Sequence, residues 1–242
     1  MIPQPSLAPI VTADVRYALY LVPPRDCVLW AQACRWLGRN PETGVLSGQP
    51  AVPGYAPQRV RQLTRSPRQY GFHATLKAPF RLVHGVDEPQ LMAEVARLVG
   101  SLPAIAMPAL QVDRLGGFVA LRPAGVAAQL MALEQRCVTG LDALRAPLEA
   151  DERARRHAAG LTPRQKDLLE QWGYPFVLDE YRFHMTLTQR LDDADAAVLM
   201  PWLENWLGPA LGADSSEADL AVFMQPHPGA DFVLRRRFPL RR

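Results

Sequence analysis

Two short segments of the chain alternate hydrophobic and polar residues in the same order. The first reads Tyr70-Gly-Phe-His-Ala-Thr-Leu-Lys-Ala-Pro-Phe80, and the second reads Tyr181-Arg-Phe-His-Met-Thr-Leu-Thr-Gln-Arg190. A period of two residues predicts a half-buried β-strand whose apolar side chains lie on one face. The other face of each predicted strand carries a histidine, a threonine and a further polar residue. The two strands are therefore expected to present matching polar faces.

The elements that follow each of these strands also recur. A helical pattern and then two strand patterns come next, at 88–102, 104–115 and 117–122 in the first half and at 194–207, 218–225 and 231–237 in the second. Self-similarity at a nearly constant offset predicts a duplicated unit. We therefore predict an α+β fold in one bilobal domain over residues 1–242, with repeats at about 66–122 and 176–237 related by a pseudo-twofold axis. His73 and His184 would then face one another across a shared cleft.

The rest of the chain carries shorter patterns. A strand is predicted at Arg16–Val22, and a helix is predicted from about Asp26, as its N-cap, to Leu37. The other predictions are a loose lead-in at 1–13, a long loop at 38–57, a short helix at 58–64, a helix at 126–148 and a charged helix–turn–helix at 150–170, so that helices cross between the halves over about 126–172. Loops of such length are uncommon without a role, so the 38–57 loop is a candidate cover for a site.

Composition and charge exclude several classes of protein. The 242 residues are 48% hydrophobic and 21% charged, which is ordinary for a soluble globular domain. The net charge of +3 tolerates an anionic substrate but is far below the density of a dedicated nucleic-acid binder. No apolar run approaches the ~18 residues that a transmembrane helix needs. The amino terminus has no signal-peptide pattern, so a cytoplasmic protein without a membrane partner is expected.

The candidate chemistry lies on the polar faces of the two matching strands. A histidine has an ordinary pKa of ~6.5, so one neutral and one protonated imidazole can serve as general base and general acid, here His73 and His184. Thr75 and Thr186 point to the same side as the histidines and could donate hydrogen bonds to a phosphoryl group. Lys77 would add a positive charge. This set of residues suits the cleavage of a phosphodiester, especially a cyclic one.

Neither a metal nor a cofactor is expected from the residues. The polar faces of the two strands carry no carboxylates, and the three cysteines, Cys27, Cys34 and Cys137, show no metal-ligand spacing. Tyr20 shares a strand face with Arg16 and Ala18 and could line the cleft, although a core aromatic is an equally good interpretation.

Two His-x-Thr-hydrophobic motifs on strands of a duplicated α+β domain resemble the 2H phosphoesterase superfamily, which includes RNA 2′,3′-cyclic phosphodiesterases and RNA ligase-like proteins. Together with Arg16-Tyr-Ala-Leu-Tyr20, the Tyr70–Phe80 segment is similar to a bacterial branch of that superfamily, DUF1045, which is linked to phosphonate metabolism. The resemblance implies two antiparallel sheets flanked by helices about a pseudo-twofold cleft. It also implies His73 and His184 as the acid/base pair, with Thr75 and Thr186 as phosphate ligands.

Three functions stay open at the level of sequence. The first is a metal-independent hydrolase for a cyclic or activated phosphodiester of a small sugar phosphate or nucleotide, with Lys77 and Tyr20 as further phosphate-binding residues. The second is an RNA 2′,3′-cyclic phosphodiesterase or ligase-like enzyme, which would need a basic groove; the dense basic runs are Arg153–Arg156 and Arg235–Arg242. The third is a protein that binds a phosphorylated metabolite without turnover. The sequence does not determine which histidine is the acid, nor the oligomeric state.

Overall fold

The computed structural model describes residues 14–212 and 217–240, so the predicted lead-in at 1–13 lies outside the described residues. Within them, seven strands form one antiparallel sheet. The strands are β1 (Arg16–Val22), β2 (Ala74–Phe80), β3 (Leu110–Leu115), β4 (Phe118–Pro123), β5 (Met185–Thr186), β6 (Asp219–Gln225) and β7 (Val233–Pro239). The helices are α1 (Val28–Leu37), α2 (Pro57–Leu63), α3 (Arg65–Tyr70), α4 (Glu88–Gly100), α5 (Ala128–Gly140), α6 (Ala150–His157), α7 (Pro163–Trp172) and α8 (Asp193–Gly212).

The order of the strands interlocks the two halves of the chain. Across the sheet the order is β3-β4-β5-β2-β1-β6-β7, so the two motif strands, β2 and β5, are antiparallel neighbours in the middle. The hairpin β3-β4 follows β2 in sequence, but it pairs with β5. The hairpin β6-β7 follows β5, but it lies on the β2 side, with β1 between them. Each half therefore supplies its hairpin to the side of the sheet that holds the other half's motif strand.

The single sheet corrects the prediction of two separate antiparallel sheets. Met185 of β5 pairs with Ala74 on one side and with Leu121 of β4 on the other, which makes the sheet continuous. A strand edge presents unpaired backbone donors and acceptors, and leaving those groups buried without partners is costly. Pairing β5 on both sides satisfies groups that two separate sheets would leave at their edges.

The strand β1 shows how completely the middle of the sheet is covered. All of its residues after Arg16 are buried, on both faces, as is typical of a central strand with helices or loops packed above and below. The predicted bounds of this strand are confirmed. No helix of the described residues is long and apolar enough to cross a bilayer.

Local capping sets where the helices begin. The Asp87 side chain accepts a hydrogen bond from the Gln90 backbone, and the Gln90 side chain accepts one from the Asp87 backbone, which forms a capping box for α4. The predicted N-cap Asp26 of α1 is wrong by one position. Its place is taken by Cys27, whose sulfur accepts from the Trp30 backbone while its own amide donates to the Pro24 carbonyl. That turn holds Cys27 in the extended conformation that an N-cap requires.

Several other elements differ from their predicted extents: β3 begins at Leu110 and not at residue 104, and α8 continues to Gly212 and not only to residue 207. The helix α3 was not predicted; Pro67 is tolerated there because it lies in the first turn, where the helix needs no amide donor. The helix α5 ends at Gly140 and not near residue 148, and a 3₁₀ turn over Asp142–Leu144 follows it. The second motif strand is only two residues long, although its alternation extends further on both sides.

A buried arginine joins the first motif to the last strand. The side chain of Arg39 is 4% exposed and forms an ion pair with Asp231, whose carboxylate oxygen lies 3.4 Å from its Nε. Its guanidinium also donates to the carbonyls of Arg68, in the last turn of α3, and of Phe232, just before β7. Arg39 therefore ties the approach to β2 to the approach to β7.

We predict that Arg39→Gln lowers the free energy of unfolding by about 2–3 kcal/mol, because it leaves buried carbonyl acceptors without a charged donor. Urea unfolding monitored by circular dichroism would measure the change. Arg65→Gln, at an exposed position on α3, serves as the matched control and should change stability by less than about 0.5 kcal/mol. Equal stability of the two variants would contradict the clamping role of Arg39.

Candidate active site

Each motif histidine lies one residue before its strand and is fixed by the same local hydrogen bond. Nδ1 of His73 lies 2.8 Å from the Gly71 carbonyl oxygen, and Nδ1 of His184 lies 2.7 Å from the Arg182 carbonyl oxygen. A carbonyl can only accept, so Nδ1 carries the proton in both rings and Nε2 is left as the basic atom. The two motifs therefore present their histidines in the same tautomer.

The pairing of β2 with β5 brings the two motifs onto one face of the sheet. Ala74 is opposite Met185 in an antiparallel register. One step to either side places His73 opposite Thr186 and Thr75 opposite His184. Directly opposed residues on antiparallel strands have Cβ atoms only about 4.5–5.5 Å apart. Extended by one residue in each direction, this register sets the two histidines diagonally across the paired strands, with the two threonines at the other two positions.

Burial follows the predicted alternation. The apolar members of both motifs are almost fully buried: Phe72, Ala74 and Leu76 in the first and Phe183, Met185 and Leu187 in the second, each at most 6% exposed. The histidines and threonines of both motifs are half-buried. One face of each motif strand therefore belongs to the core, and the other face borders space that a ligand can enter.

Tyr20 lies behind His73 and does not line the open cleft. Its ring stacks on the imidazole with 3.6 Å between the centroids and an angle of 24° between the planes, and Tyr20 itself is 1% exposed. Phe223 packs on the Tyr20 ring at 4.9 Å. The predicted role of Tyr20 as a phosphate ligand is therefore corrected to that of a core aromatic, the alternative that the sequence also allowed, which holds the plane of the His73 ring.

Lys77 also has a different place from the one predicted. It is 3% exposed, and its ammonium donates to the Val138 carbonyl at 2.9 Å and to Asp142 at 3.2 Å. The Val138 carbonyl is in the last turn of α5, where a positive charge is favourable for the helix dipole. Lys77 therefore holds α5 against β2, and its charge is not free to bind a phosphate. Thr188, at the matching position of the second motif, is likewise buried and accepts from the Val119 amide.

The surroundings of the two histidines favour their neutral forms. Burial lowers the pKa of His73 to about 4; the Gly71 carbonyl opposes that effect, and a positive charge on His184 adds to it. Burial also lowers the pKa of His184, against the Arg182 carbonyl and together with the charge of Arg122. Both imidazoles of the free protein are therefore neutral at pH 7, and each Nε2 can accept a proton.

A cavity of about 490 Å³ opens beside His184 and Thr75. Its other walls are largely aromatic and aliphatic side chains from the β3-β4 hairpin and from the segment between α7 and β5: Leu115, Phe118, Tyr174, Phe176, Val177 and Tyr181. The Phe118 and His184 ring centroids are 5.6 Å apart. The sequence did not predict this aromatic wall, because its members come from separate elements. The one signal was the position of Phe118 in the repeated hairpin.

Within the described ranges, no group of three or more histidine, cysteine or acidic side chains is arranged to hold a metal ion. The 38–57 loop contains one isolated bridge, between Arg39 and Leu46, and it lines a separate cavity of about 440 Å³ with Val52, Tyr55 and Val60. That cavity includes neither motif histidine, so the predicted role of this loop as a cover for the site gains no support.

Comparison with known proteins relates the chain to one family. A family model described as "Protein of unknown function (DUF1045)" matches residues 75–233, which include the second motif and the first motif from Thr75 onward. Two curated proteins, each named "Ribose 1,5-bisphosphate phosphokinase PhnN", are similar to the chain. The one from Janthinobacterium sp. (strain Marseille) is 42% identical over 229 residues, or 93% of this chain and 50% of the relative. The one from Laribacter hongkongensis (strain HLHK9) is 35% identical over 224 residues, or 92% of this chain and 51% of the relative.

The chain spans about half the length of these curated relatives. No solved structure matches it.

We predict that the lowered pKa of His73 makes stability depend on pH between about 4 and about 6.5. In that window the unfolded histidine binds a proton and the folded one does not, so acidification favours unfolding. The free energy of unfolding begins to fall as the pH drops below about 6.5, and this loss is complete near pH 4. It amounts to at most about 3 kcal/mol.

Urea unfolding of wild type and His73→Gln across this pH range would give the free energy of unfolding at each pH. The effect of His73 is the difference between the slopes of the two plots of free energy against pH. His227→Gln, at an exposed histidine outside both motifs, is the control and should keep the wild-type slope. Parallel curves for wild type and His73→Gln would show that the folded state does not hold His73 neutral.

Proposed function

We propose that this chain, which belongs to the DUF1045 family of proteins of unknown function, is a phosphoesterase of the 2H type that needs no metal ion. The observation that carries the proposal is the register of β2 against β5, which sets two basic imidazole nitrogens and two hydroxyls on one face. This set can give and take a proton on either side of a phosphorus atom and donate hydrogen bonds to its oxygens.

In the proposed reaction, a neutral Nε2 takes a proton from water while the water oxygen bonds to phosphorus. The bond from phosphorus to the leaving oxygen breaks, and a protonated Nε2 on the other histidine gives its proton to that oxygen. Thr75 and Thr186 donate to the non-bridging oxygens, on which negative charge grows in the transition state. The products are a phosphomonoester and a free hydroxyl, both in one molecule when the diester is cyclic.

The different surroundings of the histidines suggest how the roles divide. His73 is enclosed by the Tyr20 ring and has its pKa lowered to about 4, so it holds a proton poorly. His184 lines the cavity, where an anionic diester would raise its pKa and favour its protonated form. We therefore assign proton acceptance to His73 and proton donation to His184.

The class of substrate follows from the size of the site and from the relatives. A cavity of about 490 Å³ accommodates a small phosphorylated molecule, such as a sugar phosphate or a nucleotide, and not a folded nucleic acid. The relatives are named for ribose 1,5-bisphosphate, so ribose-containing phosphodiesters are the first substrates to test. A role in phosphonate metabolism, as the resemblance of the motifs implies, is part of this proposal.

The relatives are named as kinases, and we assign that activity to the half of their sequence that this chain does not span. One common device for holding a nucleoside triphosphate is a glycine-rich loop that ends in Gly-Lys followed by serine or threonine. The two lysines of this chain, Lys77 and Lys166, follow Leu76 and Gln165. The sequence thus lacks that device, and it carries the two histidine motifs instead.

The RNA alternative has weaker support. Within the first basic run, Arg156 pairs with Glu152 and Arg153 with Glu170. Within the second run, the described residues Arg235 and Arg237 pair with acidic groups; Arg241 and Arg242 lie outside the described part of the chain. Charges already engaged in this way add little to the affinity for a polyanion.

We predict that His73→Ala and His184→Ala each lower kcat by at least ~10², the lower limit for loss of general acid–base catalysis, on the best of a panel of ribose-based cyclic phosphodiesters and cyclic nucleotides. Release of the monoester, followed by ³¹P NMR, would measure the rates with EDTA present throughout. His227→Ala should retain the wild-type rate.

Wild-type turnover in either motif variant would contradict the proposed chemistry, and loss of all activity in EDTA would contradict metal independence. Tight binding of a sugar phosphate in calorimetry without turnover of any diester would favour the non-catalytic alternative.

We also predict that short RNA binds weakly and that its affinity falls only slightly between 50 and 200 mM salt, since few phosphate contacts are available to release counterions. Filter binding at the two salt concentrations would measure this. A loss of affinity of ~10³ or more would favour an RNA-processing enzyme.

A further inference from the structure

The strand on the other side of β5 places a cation next to one of the motif histidines. Leu121 of β4 pairs with Met185, and Ala120 pairs with Thr186. The next position in this antiparallel register sets Arg122 opposite His184. Ala120 and Arg122 have the same parity along β4, so Arg122 lies on the face that carries His184 and Thr186. A row across three strands therefore runs from Arg122 through His184 to Thr75.

The guanidinium of Arg122 is only partly neutralised. Nη1 donates to Asp113 of β3 at 2.6 Å, and both side chains are 34% exposed. Among the described residues, Asp113 is the one hydrogen-bond partner of this guanidinium, which has several N–H donors. The Nε atom is buried without a partner in the described part of the chain. The ion pair orients the guanidinium of Arg122 and leaves some of its N–H donors without an acceptor among the described residues.

We propose that Arg122 is a third phosphate-binding residue of the site, which holds non-bridging oxygens of the substrate beside His184. This inference rests on the proposed phosphoesterase function and deepens it. The planar guanidinium matches two phosphate oxygens at once, which an ammonium cannot do. It supplies the positive charge that the motif strands lack, since the ammonium of Lys77 is held by Asp142.

A purely structural explanation accounts for less of the arrangement. A half-exposed ion pair such as that of Arg122 with Asp113 contributes little to stability. The corresponding arginine of the second hairpin, Arg236, has no such position. It lies on β7 at the edge of the sheet, with β2, β1 and β6 between it and β5, and its guanidinium stacks on Phe238 at 4.9 Å. The order of the strands thus brings only the first of these two arginines to a motif histidine.

Titration with inorganic phosphate, followed through the histidine ring signals in NMR spectra, tests the inference. We expect phosphate to shift the His73 and His184 signals of the wild-type protein in a saturable way. Arg122→Gln should raise the dissociation constant about tenfold, the loss of a charge-assisted hydrogen bond. It should also raise the pKa of His184 in the absence of phosphate, because a neighbouring positive charge is removed. Arg236→Gln is the matched control and should change neither value.

Arg122→Lys keeps the positive charge but removes the planar set of guanidinium donors. It should keep the pKa of His184 near that of the wild type and recover only part of the phosphate affinity. Equal phosphate affinity in wild type and Arg122→Gln would overturn the role of Arg122 and leave the proposed function standing. Phosphate that leaves the His73 and His184 signals of the wild-type protein unmoved would overturn the phosphate site itself, and the role of Arg122 with it.

Discussion

A single backbone pairing, between Ala74 of β2 and Met185 of β5, sets the geometry on which the candidate site depends. Side chains alternate across a sheet, so a slip of one residue on either strand would turn that strand's histidine into the core and its phenylalanine out to solvent. The buried members of the motifs prevent such a slip, since Phe72, Leu76 and Leu187 are each at most 1% exposed. The hydrophobic face of the motif strands thus maintains the register of the polar face.

The two motifs are alike in sequence, but the structure places them in unlike surroundings. His73 is enclosed by the rings of Tyr20 and Phe223, in the part of the sheet that is buried on both faces. His184 has Phe118 on one side and borders a cavity of about 490 Å³. Near-identical local hydrogen bonds hold both imidazoles in one tautomer, so the difference between them comes from packing. The same motif, packed differently in the two halves, thus leaves His73 the more enclosed of the two imidazoles.

Charge is distributed in the site in a way that the motifs themselves do not suggest. Lys77 and Thr188 occupy matching positions in the two motifs, and both stabilise the fold. Lys77 donates a hydrogen bond to the end of α5, and Thr188 accepts one from the Val119 amide. A positive charge that acts on the second histidine comes instead from β4, through Arg122, and together with burial it lowers the pKa of His184. The hairpins are therefore more than supports for the motif strands, since the hairpin of one half approaches the histidine of the other.

The sequence by itself determined the features that depend on local period and local capping. The alternation of the two motifs, the bounds of Arg16–Val22 and the crossing helices α6 and α7 were all predicted, because neighbours in the chain decide them. The tertiary structure decided that one sheet forms and that Tyr20 stacks on His73. It also decided that Asp142 forms an ion pair with Lys77 and that Arg122 lies beside His184. Each of these depends on which distant segments become neighbours in the sheet. The period of a strand specifies which side chains share a face, but not which other strand will pair with it, and so the partners of the histidines could be read only from the assembled fold.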